Sequence, residues 1–215
     1  MPFVVGLDLG QRADYTALAV IQSVMEGPAS SAGSHKELHL RHLERYPLRT
    51  PYPEIADKVA ALMGDPALSP EERIGFRLRR TPPRLIVDAT GVGTAVSDLL
   101  KTRGLRFTRV TITGGDKVNR VAGGYRVLKR DLVAALEVPF HKGSLKVAEG
   151  LVLWPALQEE LLTFRRKINL QTAHDSYEHW RDSDQDDLVL ATALACWDIT
   201  RPRQRLRMMR KPPGW

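Results

Sequence analysis

The order of the apolar segments constrains the fold of this 215-residue chain more than any other feature of its sequence. Three segments typical of β-strands come first, over residues 4–9, 15–23 and 37–46, and a short polar turn joins the first two. Two further strand-like segments, 84–88 and 107–113, are separated by a segment with helical periodicity. The sequence therefore predicts an α/β fold: a mixed five-stranded sheet with helices on both faces, whose first three strands are antiparallel.

Two segments near the C-terminus have contrasting helical patterns. The first carries one apolar stripe, typical of a helix that packs a single face on a core, formed by Trp154, Leu157, Leu161, Phe164 and Ile168. Residues 186–199 are apolar on nearly every side, which predicts a helix buried between other elements. Residues 65–83, by contrast, carry four prolines and many charges, and we expect an irregular excursion there.

The distribution of charge separates the end of the chain from the rest. The net charge is +7, but residues 201–215 hold six of the 32 basic residues and no acid. The remainder is close to neutral, and no linker or internal repeat divides it. We expect one domain over residues 1–200 and a flexible basic tail over 201–215. The tail either holds phosphate or acidic partners electrostatically or is simply solvated.

The composition excludes several classes of protein. No apolar run approaches the roughly 18–20 residues of a membrane helix, and the N-terminus does not resemble a secretory signal. Cys196 is the sole cysteine, which excludes an internal disulfide and any multi-cysteine metal site and fits a reducing, cytoplasmic compartment. His35, His39 and His42 suggest zinc, but the sequence offers no cysteine or acidic partner at a suitable spacing.

Two aspartates stand where apolar strands meet turns. Asp8 lies between Leu7 and Leu9, where a charge is costly unless it is paired or bound to a metal. Asp88 follows the apolar residues 85–87 at the C-terminal end of a predicted strand, the edge at which ligands bind in open α/β sheets. Each aspartate also has a simpler possible role, which is to cap the turn that follows it.

A third acidic position opens the all-apolar helix. Asp186 and Asp187 follow Asp182 and Asp184, and capping of the helix accounts for only one of them. Such a dense negative cluster is unfavourable without a cation, and Mg²⁺ and Mn²⁺ prefer oxygen ligands. Two such ions activate a water for attack on a phosphodiester, so that chemistry needs no side-chain nucleophile.

Four segments together resemble a known family. They are Gly6–Gly10 with Asp14–Ala17, Val87–Gly93, Val127–Val133 and Asp186–Ala195. In this order they resemble the nuclease domain of the large terminase of tailed phages, a member of the RNase H-like nuclease superfamily. The last segment is the most specific of the four, and together they span almost the whole chain.

The resemblance implies a function and a set of site residues. Asp8, Asp88, Asp186 and Asp187 would be the catalytic, metal-binding acids, holding two Mg²⁺ or Mn²⁺ ions. The activity would be endonucleolytic cleavage of double-stranded DNA, processing concatemeric viral DNA in the host cytoplasm during genome packaging. Many relatives carry histidine just before the paired aspartates, where this chain has Gln185, so a histidine ligand is not expected.

The resemblance also implies partners. These are a packaging ATPase domain, the portal and the small terminase subunit, while the isolated domain would be monomeric. The chain has no P-loop, so the ATPase lies outside it, either removed or on another polypeptide.

Several basic residues are candidates for contacts to the DNA backbone. They are Arg12, beside the first acid, and the glycine-flanked set Lys117, Arg120, Arg126, Lys129 and Arg130. Contacts of this kind fix position without reading sequence, and nothing in the chain resembles a base-reading module. We therefore expect low sequence specificity.

Three other functions remain open from the sequence. Residues 6–10 also resemble the first phosphate loop of sugar kinases and actin-like ATPases, although no second nucleotide loop is evident. A RuvC-like Holliday junction resolvase would use the same fold and acids. A non-catalytic DNA-binding or assembly module of the packaging machine, with degenerate acids, is the third.

Overall fold

A mixed sheet of eight strands organises the molecule, and a separate two-stranded hairpin projects from it. The computed structural model describes residues 2–10, 14–27, 35–74, 76–91, 93–114, 117–171 and 186–202. The strands are β1 (Phe3–Asp8), β2 (Thr16–Glu26), β3 (His35–Tyr46), β4 (Glu71–Ile74), β5 (Arg77–Arg80), β6 (Arg84–Asp88), β7 (Phe107–Thr113), β8 (Asn119–Val121), β9 (Gly124–Leu128) and β10 (Leu145–Val147). The helices within these ranges are α1 (Tyr52–Met63), α2 (Gly93–Thr102), α3 (Lys129–His141), α4 (Trp154–Gln171) and α5 (Asp187–Thr200).

The strand order in the main sheet is β10-β3-β2-β1-β6-β7-β9-β8. The first three strands pair antiparallel, and β6, β7 and β9 follow β1 in parallel. The five central strands are the five that the sequence predicts, namely β3, β2, β1, β6 and β7 in their order across the sheet. The predicted fold class is therefore confirmed. The predicted strand number is wrong, because β10 extends one edge of the sheet and the β8–β9 hairpin extends the other.

The additional β8–β9 hairpin depends on two glycines. Gly123 has a φ of 74°, which permits the tight turn between the strands. At Gly124 a Cβ atom would lie 2.0 Å from the carbonyl oxygen of Arg109, so only glycine lets β9 pair with β7 at this register. In the sequence the same two glycines look like a flexible loop, which is why the strands were not predicted.

Two apolar cores lie on opposite faces of the sheet, because neighbouring residues of each central strand point to opposite sides. In β1, Val4 packs into the core under α3, α4 and α5, and Val5 packs into the core under α1 and α2. Helix α5 is buried along its whole length from Asp187 to Ile199, as its all-round apolar sequence predicts. Any side chain that shares a face with Val4 therefore points towards α5.

The segment predicted to be irregular, 65–83, contains ordered structure. It forms a short 3₁₀ turn over Pro66–Leu68 and then the antiparallel β4–β5 hairpin, with Arg80 donating to Glu71 over 2.8 Å. Backbone pairing and this cross-strand ion pair order a segment that has little apolar pattern. No helix in the described ranges is long and apolar enough to cross a membrane. The part of the predicted tail beyond Pro202 lies outside the described residues.

Candidate active site

Asp8 and Asp88 end two adjacent parallel strands at the same edge of the sheet. The pairing of β1 with β6 places Leu7 opposite Val87, so the next residue of each strand is an aspartate. Asp8 alternates with Gly6 and Val4, and Asp88 alternates with Ile86, so both carboxylates point to the α5 face. Both residues are buried, with 9% and 7% of their surface exposed. The structure thus brings together two acids that are 80 positions apart in the sequence.

Gly6 brings the start of α5 over this pair. A Cβ atom at Gly6 would lie 2.0 Å from the carbonyl oxygen of Ala191, so the backbones of β1 and α5 touch there. Asp8 is two residues further along the strand, about 6.6 Å, and Asp187 is four residues before Ala191 in the helix, about 6 Å. The close contact at Gly6 therefore places Asp187 near Asp8.

The four predicted acids meet electrostatically at Asp8. Burial raises the pKa of Asp8 well above its ordinary value, and the charges of Asp88, Asp186 and Asp187 raise it further. Lys129 opposes this shift, and its Nζ atom lies 3.5 Å from Oδ2 of Asp186. Three distant parts of the sequence thus form one cluster of negative charge with a lysine at its margin.

Asp88 also stabilises the turn that follows it. Its Oδ1 atom accepts a hydrogen bond of 2.7 Å from the backbone N–H of Thr90. The hydroxyl oxygen of Thr90 in turn accepts a hydrogen bond of 2.8 Å from the backbone N–H of Ile112 in β7. The capping role considered for Asp88 is therefore present beside its place in the acid cluster, and the cap fixes the orientation of the carboxylate.

Arg45 holds Asp187 from the sheet side. Its Nε atom donates to Oδ2 of Asp187 over 2.7 Å, and its Nη2 atom donates to Oε1 of Glu160. The ring of Tyr15 lies 5.2 Å from the guanidinium carbon. Burial raises the pKa of Asp187, whereas the charge of Arg45 and its hydrogen bond lower it. The net effect raises the pKa of Asp187, and Arg45 is the counter-charge that opposes this shift.

Glu160 of α4 caps the N-terminus of α5. Its Oε2 atom accepts a hydrogen bond of 3.1 Å from the backbone N–H of Val189, the third residue of the helix. Asp186 occupies the N-cap position, but its side chain makes no capping hydrogen bond. Since Glu160 supplies the cap, the carboxylates of Asp186 and Asp187 are not needed for it.

Sequence reasoning missed Arg45 and Glu160, although each left a trace. Arg45 alternates with Leu43 on the buried face of β3, where a charge needs a partner. Glu160 is three positions after Leu157 and next to Leu161, within the apolar stripe of α4. A charged residue inside an apolar pattern is thus the signal that was available.

The predicted DNA-binding residues occupy different places. Lys129 belongs to the acid cluster described above. Lys117, Arg120, Arg126 and Arg130 are exposed on or beside the β8–β9 edge of the sheet, around the start of α3. Arg12 lies outside the described residues. The structure therefore leaves four of the six side chains exposed at this edge, with Arg120 and Arg126 on opposite faces of the β8–β9 hairpin.

The donor set of the acid cluster suits hard divalent cations. All four side chains offer carboxylate oxygens, the ligands that Mg²⁺ and Mn²⁺ prefer. Within the described residues, no three of these carboxylates have oxygens all within 4.8 Å of one another. Mutual repulsion opposes a closer approach, and a cation among them would relieve both the repulsion and the cost of burying Asp8.

The sequence matches no protein-family model and none of the curated proteins. The structure does match solved structures. One is the nuclease of the large terminase from the thermophilic phage G20c, with 17% identity over 90% of this chain and 80% of that chain and a TM-score of 0.53. This chain therefore shares its fold with that nuclease.

Two other solved structures are similar to this chain at lower scores. The human cytomegalovirus terminase nuclease domain, in a Mn-soaked crystal, is 15% identical over 90% of this chain and 81% of that one, with a TM-score of 0.44. RuvC of Thermus thermophilus is 17% identical over 91% of each chain, with a TM-score of 0.37.

Proposed function

We propose that this protein is a divalent-metal-dependent endonuclease that cleaves double-stranded DNA with little sequence specificity. The observation that carries the proposal is the convergence of Asp8, Asp88, Asp186 and Asp187 at one edge of the sheet, beneath the start of α5. Burial of Asp8 beside three other acids lowers the stability of the fold, so this cluster favours a metal site.

In this proposal Asp8 and Asp88 hold cations from the sheet, and Asp186 and Asp187 hold them from the helix. When bound, two divalent ions supply Lewis acidity for hydrolysis of the phosphodiester. Arg45 orients Asp187 and supplies its counter-charge, and Glu160 keeps the helix end fixed without using either aspartate. Lys129 neutralises part of the excess negative charge beside Asp186.

The exposed basic residues at the β8–β9 edge would contact DNA phosphates. They lie on the strands and helix that lead to Lys129, next to the acids, so a duplex held there reaches the site. Phosphate contacts of this kind position a duplex without reading its sequence, which fits cleavage with low specificity.

The biological role that we propose rests on the terminase resemblance. The enzyme would process concatemeric viral DNA in the host cytoplasm during packaging, with a packaging ATPase domain, the portal and a small terminase subunit as partners. Residues 1–200 would form the nuclease domain and residues 201–215 a basic tail.

Plasmid digestion tests the activity directly. Purified protein is incubated with supercoiled plasmid in Mg²⁺, Mn²⁺ or EDTA, beside Asp8→Asn and Asp88→Asn. We expect nicked and linear products with either ion, none in EDTA, and at least a 100-fold slower rate in both variants. Asp57→Asn, on the exposed surface of α1, is the matched control and should cut like the wild type.

Two outcomes would overturn the proposal. Equal cutting by Asp8→Asn would remove these acids from the chemistry. Binding of plasmid without any cutting in Mn²⁺ would make the protein a non-catalytic DNA-binding module. A four-way junction, cut in parallel, separates the packaging nuclease from a resolvase, because a resolvase prefers the junction to a linear duplex.

A further inference from the structure

A second group of metal-ligating side chains lies at the other end of the β2–β3 hairpin. His35, Glu37 and His39 alternate along β3, so all three point to one face of the strand. Glu26, the last residue of β2, lies directly opposite His35 in the antiparallel register. The acidic partners that the sequence does not pair with these histidines are therefore supplied by strand geometry.

The ligand atoms in this group are close together. One donor atom each from Glu26, Glu37 and His39 lie within 4.8 Å of one another. Oε2 of Glu37 is 2.9 Å from Nε2 of His39, and Oε1 is 3.5 Å from Nε2 of His35. Around a tetrahedral ion with bonds of about 2 Å, donor atoms lie roughly 3.3 Å apart. Small side-chain movements would therefore complete such a shell.

Two of the three ligands are partly buried, whereas Glu26 is exposed. The side chains of Glu37 and His39 are 14% and 19% exposed, so their positions are restricted by packing. The Nζ atom of Lys146 lies 3.8 Å from Oε1 of Glu37, so an ion bound at that oxygen must displace this lysine. Within the described part of the chain, no basic side chain lies within ion-pair distance of Glu26.

We propose that Glu26, Glu37 and His39 bind a transition-metal dication, with His35 as the fourth ligand. Zn²⁺ is the preferred ion. Mixed imidazole and carboxylate donors suit Zn²⁺, whereas Mg²⁺ prefers oxygen ligands alone. The site is chemically distinct from the aspartate cluster and independent of the proposed nuclease activity. A bound ion would join the last residue of β2 to the first residues of β3.

Arg41 opposes this binding in a way that can be tested. Its Nη2 atom donates to Nδ1 of His39 over 3.1 Å, and its Nε atom is held by Gln22. That hydrogen bond requires an unprotonated Nδ1 atom, so in the neutral ring the proton is on Nε2. Metal binding at Nε2 moves the proton to Nδ1 and removes the acceptor that Arg41 uses. Arg41 must therefore leave when the ion binds.

Isothermal titration of the full chain with ZnCl₂ tests the site. Saturating Mg²⁺ is present throughout so that the aspartate cluster does not compete for zinc. We expect one Zn²⁺ per chain and a loss of at least about 100-fold in affinity for Glu37→Gln and for His39→Ala, since even second-shell changes cost 10–100-fold. Arg41→Gln should bind on the order of 10-fold more tightly.

The controls separate this site from general surface binding. His42→Ala removes a neighbouring histidine whose Nε2 atom faces Glu44 rather than the cluster, and it should bind zinc like the wild type. Circular dichroism confirms that each variant is folded. Titration of the variants with Co²⁺ gives a ligand-field spectrum that reports coordination geometry. Wild-type stoichiometry well below one, or unchanged affinity in both ligand variants, overturns the proposal.

Discussion

Arg45 and Asp187 form a 2.7 Å ion pair that joins the third strand of the sheet to the first turn of α5. The same guanidinium donates to Glu160, which is 7% exposed and caps that helix. Removing Arg45 leaves two buried carboxylates without their counter-charge, and breaking buried pairs in this way costs about 3–5 kcal/mol. We expect Arg45→Ala to lose that much unfolding free energy in EDTA, measured by urea denaturation.

A double-mutant cycle with Glu160→Gln separates this effect from simple loss of packing. If the charges are coupled, the double variant is more stable than the sum of the two single losses predicts. Strict additivity would show that Arg45 and Glu160 are not energetically coupled.

Asp8 should destabilise the protein at neutral pH when no metal is present. Burial and three neighbouring aspartates raise its pKa, so the folded state holds the proton more tightly than the unfolded chain. The stability linked to that proton is present at low pH and is lost as pH rises through the folded-state pKa. Asp8→Asn removes the buried charge and should gain roughly 1–3 kcal/mol at pH 8 in EDTA.

Thermal unfolding of wild type and Asp8→Asn at pH 5 and pH 8 measures this difference. The gap between the two melting temperatures should widen at pH 8. The exposed variant Asp57→Asn, outside the acid cluster, is the control. A variant that melts below the wild type at pH 8 contradicts the electrostatic account.

Divalent ions should reverse the order of stability. An ion that binds only the folded wild type at 100 times its Kd adds about 2.7 kcal/mol, and each kcal/mol raises the melting temperature of a domain this size by roughly 2–4 °C. Asp8→Asn and Asp88→Asn should gain less than half of that shift. Differential scanning fluorimetry with Mn²⁺ and EDTA is the measurement. Equal shifts in all three proteins would place the ion elsewhere.

The contact between Gly6 and α5 should be essential for both stability and activity. A methyl group there would meet the carbonyl oxygen of Ala191 at 2.0 Å, so Gly6→Ala must push the helix away from β1. Such overpacking costs about 1–3 kcal/mol, and it also separates Asp187 from Asp8. We expect lower stability together with at least a 10-fold loss of plasmid cutting.

Gly64→Ala is the matched control for that change. Its φ is −85° and the nearest atom to a new Cβ is 3.4 Å away, so alanine fits. Its stability should stay the same or rise by about 0.4–1 kcal/mol. Full cutting by Gly6→Ala would mean that the position of α5 does not control the acids.

The five central strands could be predicted from the sequence because their signals are local. Strand β6 is a short apolar run that begins after Pro83 and ends at Asp88, and its predicted bounds match the structure. Residues 186–199 need no distant information to be identified as a buried helix. The convergence of Asp8, Asp88 and the Asp186–Asp187 pair came from knowledge of strand order and a family resemblance rather than from composition.

The supporting contacts could not be predicted, since they join residues that are distant in the sequence. Arg45 and Asp187 are 142 positions apart, and Arg45 and Glu160 are 115 apart. Lys129 looked like one member of a basic stretch, yet the turn from β9 into α3 places it against Asp186. Side-chain roles of this kind depend on tertiary geometry, which charge patterns along the chain do not encode.

The basic residues near the β8–β9 edge should therefore divide into two functional groups. Arg120 and Arg126 are exposed on the edge strands, and each phosphate contact contributes about 0.9 to the slope of log affinity against log salt. Arg120→Ala with Arg126→Ala should lower the slope by about two. Lys129→Met should leave the slope unchanged, because the ammonium group of Lys129 is paired with Asp186. This variant should instead alter the affinity for Mn²⁺.

Fluorescence anisotropy with a labelled duplex in EDTA, which prevents cleavage, measures the slopes between 50 and 200 mM salt. Arg106→Ala is the control, because Arg106 is exposed before β7 at the opposite end of the strands from the acids. It should bind like the wild type. A slope that falls equally for Lys129→Met and for the edge variants would show that the lysine contacts DNA directly. An unchanged slope in the double variant would remove the β8–β9 edge from the DNA path.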